Sequence, residues 1–162
     1  MSDYSYNHPL FGDVFYTTAH TPAIFGDDIK FTAGFDIHDL ATIHIPQLVG
    51  KLNSVSDIYF HKKAHQQLLD AFIEIEQAGL LDIIKEFNSV FNMRLRRPTS
   101  GVFSSLPSNH SFGIAIDINQ GDGGNGITSA PLAPIFAKYG FAWGNNFTSP
   151  DPMHYEVSQF YS

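Results

Sequence analysis

Residues 112–119 read FGIAIDIN, and this stretch constrains the fold more than any other part of the chain. Ile114, Ile116 and Ile118 alternate with Gly113, Ala115, Asp117 and Asn119, the period-two pattern of a strand with one apolar face. The isoleucines need a core to pack into, so the strand belongs to a sheet covered by other elements. The opposite face carries small and polar side chains where a core would want bulk. Such a face is expected to line a cleft in which something approaches the backbone closely.

The rest of the chain supplies the covering elements. Ala64, Leu68, Ala71, Phe72 and Ile75 recur at three- and four-residue spacing, which predicts helix over residues 61–91, broken at Gly79 and resumed as a short helix over 80–87. Residues 90–96 alternate loosely as a strand before a turn at PTSG. The run QGDGGNG at 120–126 reads as a plain turn, since it lacks the alternating carboxylates of a calcium loop. Residues 130–139 suit a helix with Pro131 in its first turn, and 154–157 are extended. Residues 1–50 are expected to be an irregular extension of short strands or turns, including 29–35 and 43–48, packed on a core at 55–160. The sum is one α+β domain over 1–162, a small, mostly antiparallel sheet with helices packed on it.

Composition removes several functions. A formal charge of -7 argues against a nucleic-acid binder held by phosphates and against a basic membrane-surface helix. No apolar run is long enough to span a bilayer. The first residues, MSDYSYNHPLFGDVF, lack the basic and apolar regions of a secretory signal, so synthesis in the cytoplasm is expected. The chain has no Cys but eight His, so any metal must be held by imidazole and carboxylate.

His110 lies seven residues before Asp117. Strand geometry alone would put the two on opposite faces, so a turn near Ser111 must re-aim the imidazole if both are to reach one ion. His154, three residues after Asp151, is the third candidate. Two His and one Asp leave a coordination position for water, the composition of a catalytic zinc site. Zinc lowers the pKa of its water to about 7, and a nearby carboxylate must then take the proton and pass it to the leaving amine. Asp151 is the natural candidate for that base. The chain's three Arg, at 94, 96 and 97, fall within four residues, a cluster suited to an anion or a developing oxyanion. On an alternating strand, Arg94 and Arg96 share a face and Arg97 takes the other. His8, His20, His38, His44, His61 and His65 have no ligand-spaced carboxylate partner. His61 and His65, i and i+4 on a helix, read as a plain helix face without the Glu that HExxH would need.

Ser108, His110, Gly113, Ala115 and Asp117 match SxHxxGxAxD, and GFAWG at 140–144 followed by DPMHYE at 151–156 completes a second block. In these residues the chain resembles the D-alanyl-D-alanine carboxypeptidase (VanY/VanX-like) zinc peptidases, over roughly residues 55–160. Having Asp at 151 makes it more similar to the L-alanyl-D-glutamate endopeptidase and endolysin branch. The resemblance implies a VanY/Hedgehog-like fold and one Zn2+ on His110, Asp117 and His154. It implies Asp151 as general base and acid, Arg94 as the essential Arg with Arg97 the second Arg of RxxR, bordering the substrate, and Ser108 as a residue orienting the site. Trp143 would wall the cleft beside Tyr155, which stands where the family has Phe. The implied substrates are peptidoglycan stem peptides, cut by endopeptidase or D,D-carboxypeptidase action. The implied protein is a monomer reaching the wall after lysis or by dedicated export. Two other readings stand beside this one. The Hedgehog signalling domains resemble the same fold, so the site could be a non-catalytic zinc-binding recognition module. A two-His-one-carboxylate iron oxygenase has the same ligand types without its usual HxD spacing.

Overall fold

A computed structural model describes residues 3–89 and 91–161. The fold is α+β: the described residues form three small antiparallel sheets and two α-helices. The N-terminal sheet has the order β1 (Asp3–His8), β2 (Gly12–Thr18), β3 (Ile29–Ala33). A two-stranded ribbon follows, β4 (Leu40–His44) with β5 (Asp57–His61), and leads into α1 (His65–Gln77). The third sheet has the order β6-β7-β9-β8, where β6 is Phe87–Ser89, β7 Ala115–Ile118, β8 Phe141–Trp143 and β9 His154–Val157. Helix α2 (Ala133–Lys138) precedes β8.

The apolar face of the 112–119 stretch is where expected. Ile114, Ile116 and Ile118 are fully buried with Leu68, Phe72 and Ile75 of α1, Phe136 of α2, and Tyr155. Burying a side chain of this size removes it from water at about 1.5–3 kcal/mol each, which makes this cluster the principal source of stability. A second, smaller cluster of Tyr16, Ile29 and Leu95 fastens the N-terminal sheet to the arginine segment.

Several boundaries differ from the sequence expectation. The strand begins at Ala115, because residues 109–112 form a 3-10 turn and Gly113 adopts a left-handed conformation, φ +65°. His61 ends strand β5, so it shares no helix face with His65; its ring is buried and stacked on Phe11. Helix α1 starts only at His65. The expected helix over 80–87 is a single 3-10 turn at Leu81–Ile83, because Asn119 Oδ1 accepts the Lys85 and Glu86 amides and leads the chain away. Residues 127–132 are 3-10, so Pro131 lies in that turn and Pro134 opens α2. Of the expected strand at 90–96, Val90 lies outside the described residues, and 94 and 95 make isolated bridges to Asp28 and Pro107. Residues 3–50 hold more regular strand than their scattered Pro and Gly suggest: the long hairpin of β1 and β2 pairs from Asp3↔Thr17 to His8↔Gly12.

Burial lowers the pKa of both His8 and His61 below the ordinary 6.5. The folded state therefore binds these protons less readily than the unfolded chain. Their contribution to stability is complete above the unfolded value and is lost as pH falls through the lowered ones. The thermal midpoint of the metal-free protein should drop between about pH 7 and about pH 5. A His61→Phe variant, which keeps the ring packing, should drop less; an equal fall in both would contradict the assignment.

Candidate metal centre

Antiparallel pairing of β7 with β9 sets Asp117 directly opposite His154 and Ala115 opposite Glu156. Cross-strand partners project to the same face with Cβ atoms about 4.5–5.5 Å apart, so this register alone brings the carboxylate and the imidazole together. His110 arrives from the other side. Ser108 caps its turn, accepting the His110 amide at 3.2 Å, and the turn aims His110 Nε2 at Asp117 Oδ1, 3.4 Å away. His154 Nδ1 lies 3.7 Å from the same oxygen. One ligand atom from each of the three residues lies within 4.8 Å of the others, and all three side chains are largely buried.

The donor set fits a metal of the zinc type. Asp117 Oδ1 is buried with no hydrogen-bond partner, although two imidazole nitrogens face it. Burial would raise the Asp117 pKa, but the two imidazoles outweigh it and hold the carboxyl well below its usual range. Burial would likewise lower that of His154, yet the carboxylates of Asp117 and Glu156 push it up to about 9. A carboxylate and two imidazoles aimed at one point without thiolate match the ligand preferences of zinc or iron.

Two further groups border this point. Asp151 opens a turn that Pro152 continues, and its carbonyl accepts the His154 amide at 3.0 Å. The turn brings the Asp151 carboxylate beside the imidazole, where its Oδ1 is buried without a partner and burial raises its pKa. Gly144 makes room behind the turn: a Cβ there would stand 2.3 Å from the Asp151 carbonyl oxygen and 3.0 Å from His154 Cβ. Arg94 is half-buried, its Nη1 donates to the Leu95 carbonyl at 3.1 Å, and its buried Nε has no partner. Burial is the main influence disfavouring its charge, with Arg97 adding to it, while Asp117 and Asp151 favour it.

The arginine segment owes its place to the backbone on both sides. The Ile29 amide donates to Met93 O and the Leu95 amide to Asp27 O, while the Ser108 and Arg96 amides donate to Arg94 O and Leu106 O. Buried Leu95 separates Arg94 from Arg96, as the alternation required. Arg96 donates to Pro107 O and to the Tyr6 hydroxyl; exposed Arg97 lies against Gly26. All three guanidinium groups border a cavity of about 560 Å³, together with His110, Asp151, His154 and the hydroxyls of Ser104, Thr99 and Ser149.

Trp143 and Tyr155 are placed behind the site. The Trp143 indole donates to Pro152 O and stacks on Tyr155, whose hydroxyl is bonded to Ser129 in the core. Neither borders the cavity; an indole donor that must be satisfied on burial holds the 151–154 turn from beneath. The polar face of β7 is likewise only partly a cleft wall. Asp117 faces the site, but Gly113 packs on Leu40 and Asn119 bonds to four groups of neighbouring turns.

Residues 104–157 match a family model described as D-alanyl-D-alanine carboxypeptidase. The match supports a peptidase. It spans Ser108, His110, Asp117, Asp151 and His154, and leaves Arg94 and the N-terminal sheet outside. No curated protein matches the chain.

Sequence reasoning gave Glu156 and Asn109 no role. Glu156 Oε1 accepts from His154 Nε2 at 2.7 Å, and Asn109 Nδ2 donates to Glu156 Oε2 at 2.7 Å. The signal was available for Glu156, two residues from the candidate ligand His154 on the same strand face. A metal-binding imidazole ordinarily rests its second nitrogen on such a group.

Proposed function

We propose that the protein is a zinc-dependent peptidase that hydrolyses peptidoglycan stem peptides, as an L-alanyl-D-glutamate endopeptidase or a D-alanyl-D-alanine carboxypeptidase. One observation carries the reading: Asp117 Oδ1, Asp151 Oδ1 and Arg94 Nε are buried without hydrogen-bond partners beside two imidazoles. Native proteins rarely leave such atoms unpaired unless a ligand completes them. The family match, which spans Asp117 and Asp151 though not Arg94, supports peptide as the substrate.

His110, Asp117 and His154 would hold the metal. When bound, zinc supplies a Lewis acid and brings the pKa of water to about 7. Asp151 accepts a proton from the attacking water and delivers it to the leaving amine, so the carbonyl carbon gains the oxygen as its C–N bond breaks. The raised affinity of its buried carboxyl for protons suits both transfers. Arg94 presents a desolvated N–H to the oxygen that gains charge as the carbonyl becomes tetrahedral. Arg96 and Arg97 add positive charge on the wall where a substrate carboxylate would rest. Ser108 keeps the His110 turn closed. The protein would act as a monomer and meet its substrate after lysis or through dedicated export.

The test is incubation of the purified protein with defined muropeptides, with products read by mass spectrometry. Cleavage should stop in chelator and return with zinc, and the fragment masses name the bond. Full turnover in chelator would remove the mechanism. Stoichiometric zinc binding with no cleavage of any wall peptide would leave a recognition module.

A further inference from the structure

We propose that His8 and Asn109 are positioning residues of the metal centre, through which the N-terminal hairpin fixes the orientation of His154. The inference rests on the reading of His154 as a ligand. Four hydrogen bonds in series connect the hairpin loop to that ring. The Leu10 amide donates to His8 Nδ1 at 3.0 Å, and His8 Nε2 meets Asn109 Oδ1 at 2.8 Å. Asn109 Nδ2 donates to Glu156 Oε2 at 2.7 Å, and Glu156 Oε1 meets His154 Nε2 at 2.7 Å.

The direction of the series is set at one end. A backbone amide can only donate, so His8 Nδ1 is the acceptor and its proton sits on Nε2. His8 is 3% exposed, and its burial favours the neutral ring that has one donor and one acceptor. Nε2–H then donates to Asn109 Oδ1, which fixes the amide so that Nδ2 faces Glu156. The carboxylate accepts at both oxygens, and the remaining proton in the series is the one on His154 Nε2. His154 Nδ1 is left facing Asp117 Oδ1, the side on which a metal would displace its proton and take its lone pair. The His8 ring also packs on Phe112, 4.4 Å between centroids, and Phe112 closes the turn that carries His110. One side chain of the N-terminal sheet thus braces the supports of two ligands, although it is 101 residues from Asn109 in the chain.

Cobalt titration of the full chain tests this, following affinity and the visible absorption of the bound ion. His8→Phe keeps the ring packing and removes both hydrogen bonds. His8→Gln retains a terminal N–H that can reach Asn109. Loss of an outer partner of a ligand His costs about 10–100-fold in metal affinity. His8→Phe should show that loss with an altered cobalt spectrum, and His8→Gln should recover most of both. Asn109→Ala, which leaves the hairpin core untouched, should match His8→Phe and decides the matter if His8→Phe fails to fold. Parent-like affinity and spectrum in Asn109→Ala or in folded His8→Phe would overturn the proposal, as would equal weakening in the Phe and Gln variants. A parent that takes up no cobalt would instead sink the metal reading, a result visible before any variant is made.

Discussion

An Asp151→Asn protein is expected to bind zinc as the parent does and to cleave muropeptides about 10²–10⁴-fold more slowly. The amide has the shape of the carboxyl but cannot take up a proton, so substrate and metal sites persist while the transfer step is lost. Asp151 lies outside the three-residue donor cluster, which is why metal content should hold. A second outcome follows from burial. The charged form of Asp151 is disfavoured in the fold, as the raised pKa records, so its charge destabilises the protein at neutral pH. The Asn variant should therefore melt at the same temperature as the metal-free parent or higher while losing activity, the trade expected of a group kept for chemistry. Zinc content, kcat/KM and a thermal scan on the same preparation check all three. Parent-like turnover would remove Asp151 from the mechanism.

Gly113→Ala is expected to cost about 2–5 kcal/mol of stability and to weaken metal binding with it. Two separate penalties combine. A side chain at φ +65° carries about 1–2 kcal/mol of left-handed strain. The new Cβ would stand 2.6 Å from Leu40 Cδ2 and 2.7 Å from Cγ, with Leu40 itself buried. Overpacking of that kind costs about 1–3 kcal/mol. Because residues 109–112 hold His110, relief of the clash by backbone movement would carry this candidate ligand away from Asp117. Urea unfolding of Gly113→Ala, Leu40→Ala and the double variant separates the contributions. The double variant should be less unstable than the two losses added, with the conformational strain left over. A loss under about 1 kcal/mol in Gly113→Ala would show that the turn yields freely.

The grouping of His110, Asp117 and His154 was legible in the sequence because the constraints that produce it are local. Alternation over 114–118 gives the buried face of β7, and the short spacing of Asp151 to His154 forces a turn. The re-aiming turn demanded near Ser111 is the 3-10 turn that Ser108 caps. Periodicity misled where one long-range contact replaced a local one. Asn119 reads as another polar position of a strand, yet its amide satisfies backbone groups of the 83–86 segment and ends a helix that the pattern would have continued. His61 and His65 match helical spacing by coincidence, since β5 pairs with β4 and His61 faces Leu40 in register. Nothing near His8 in the chain hints at Asn109; that contact exists only once the N-terminal sheet has docked on Leu95 and Phe112.

The arginine segment lies between two stretches of chain, bonded to residues 27–29 on one side and 106–108 on the other. Any recombinant swap that cuts at residue 104 would therefore transplant the donor atoms while abandoning the guanidinium that faces them. For protein engineering, the portable cassette is far larger than its recognisable signature.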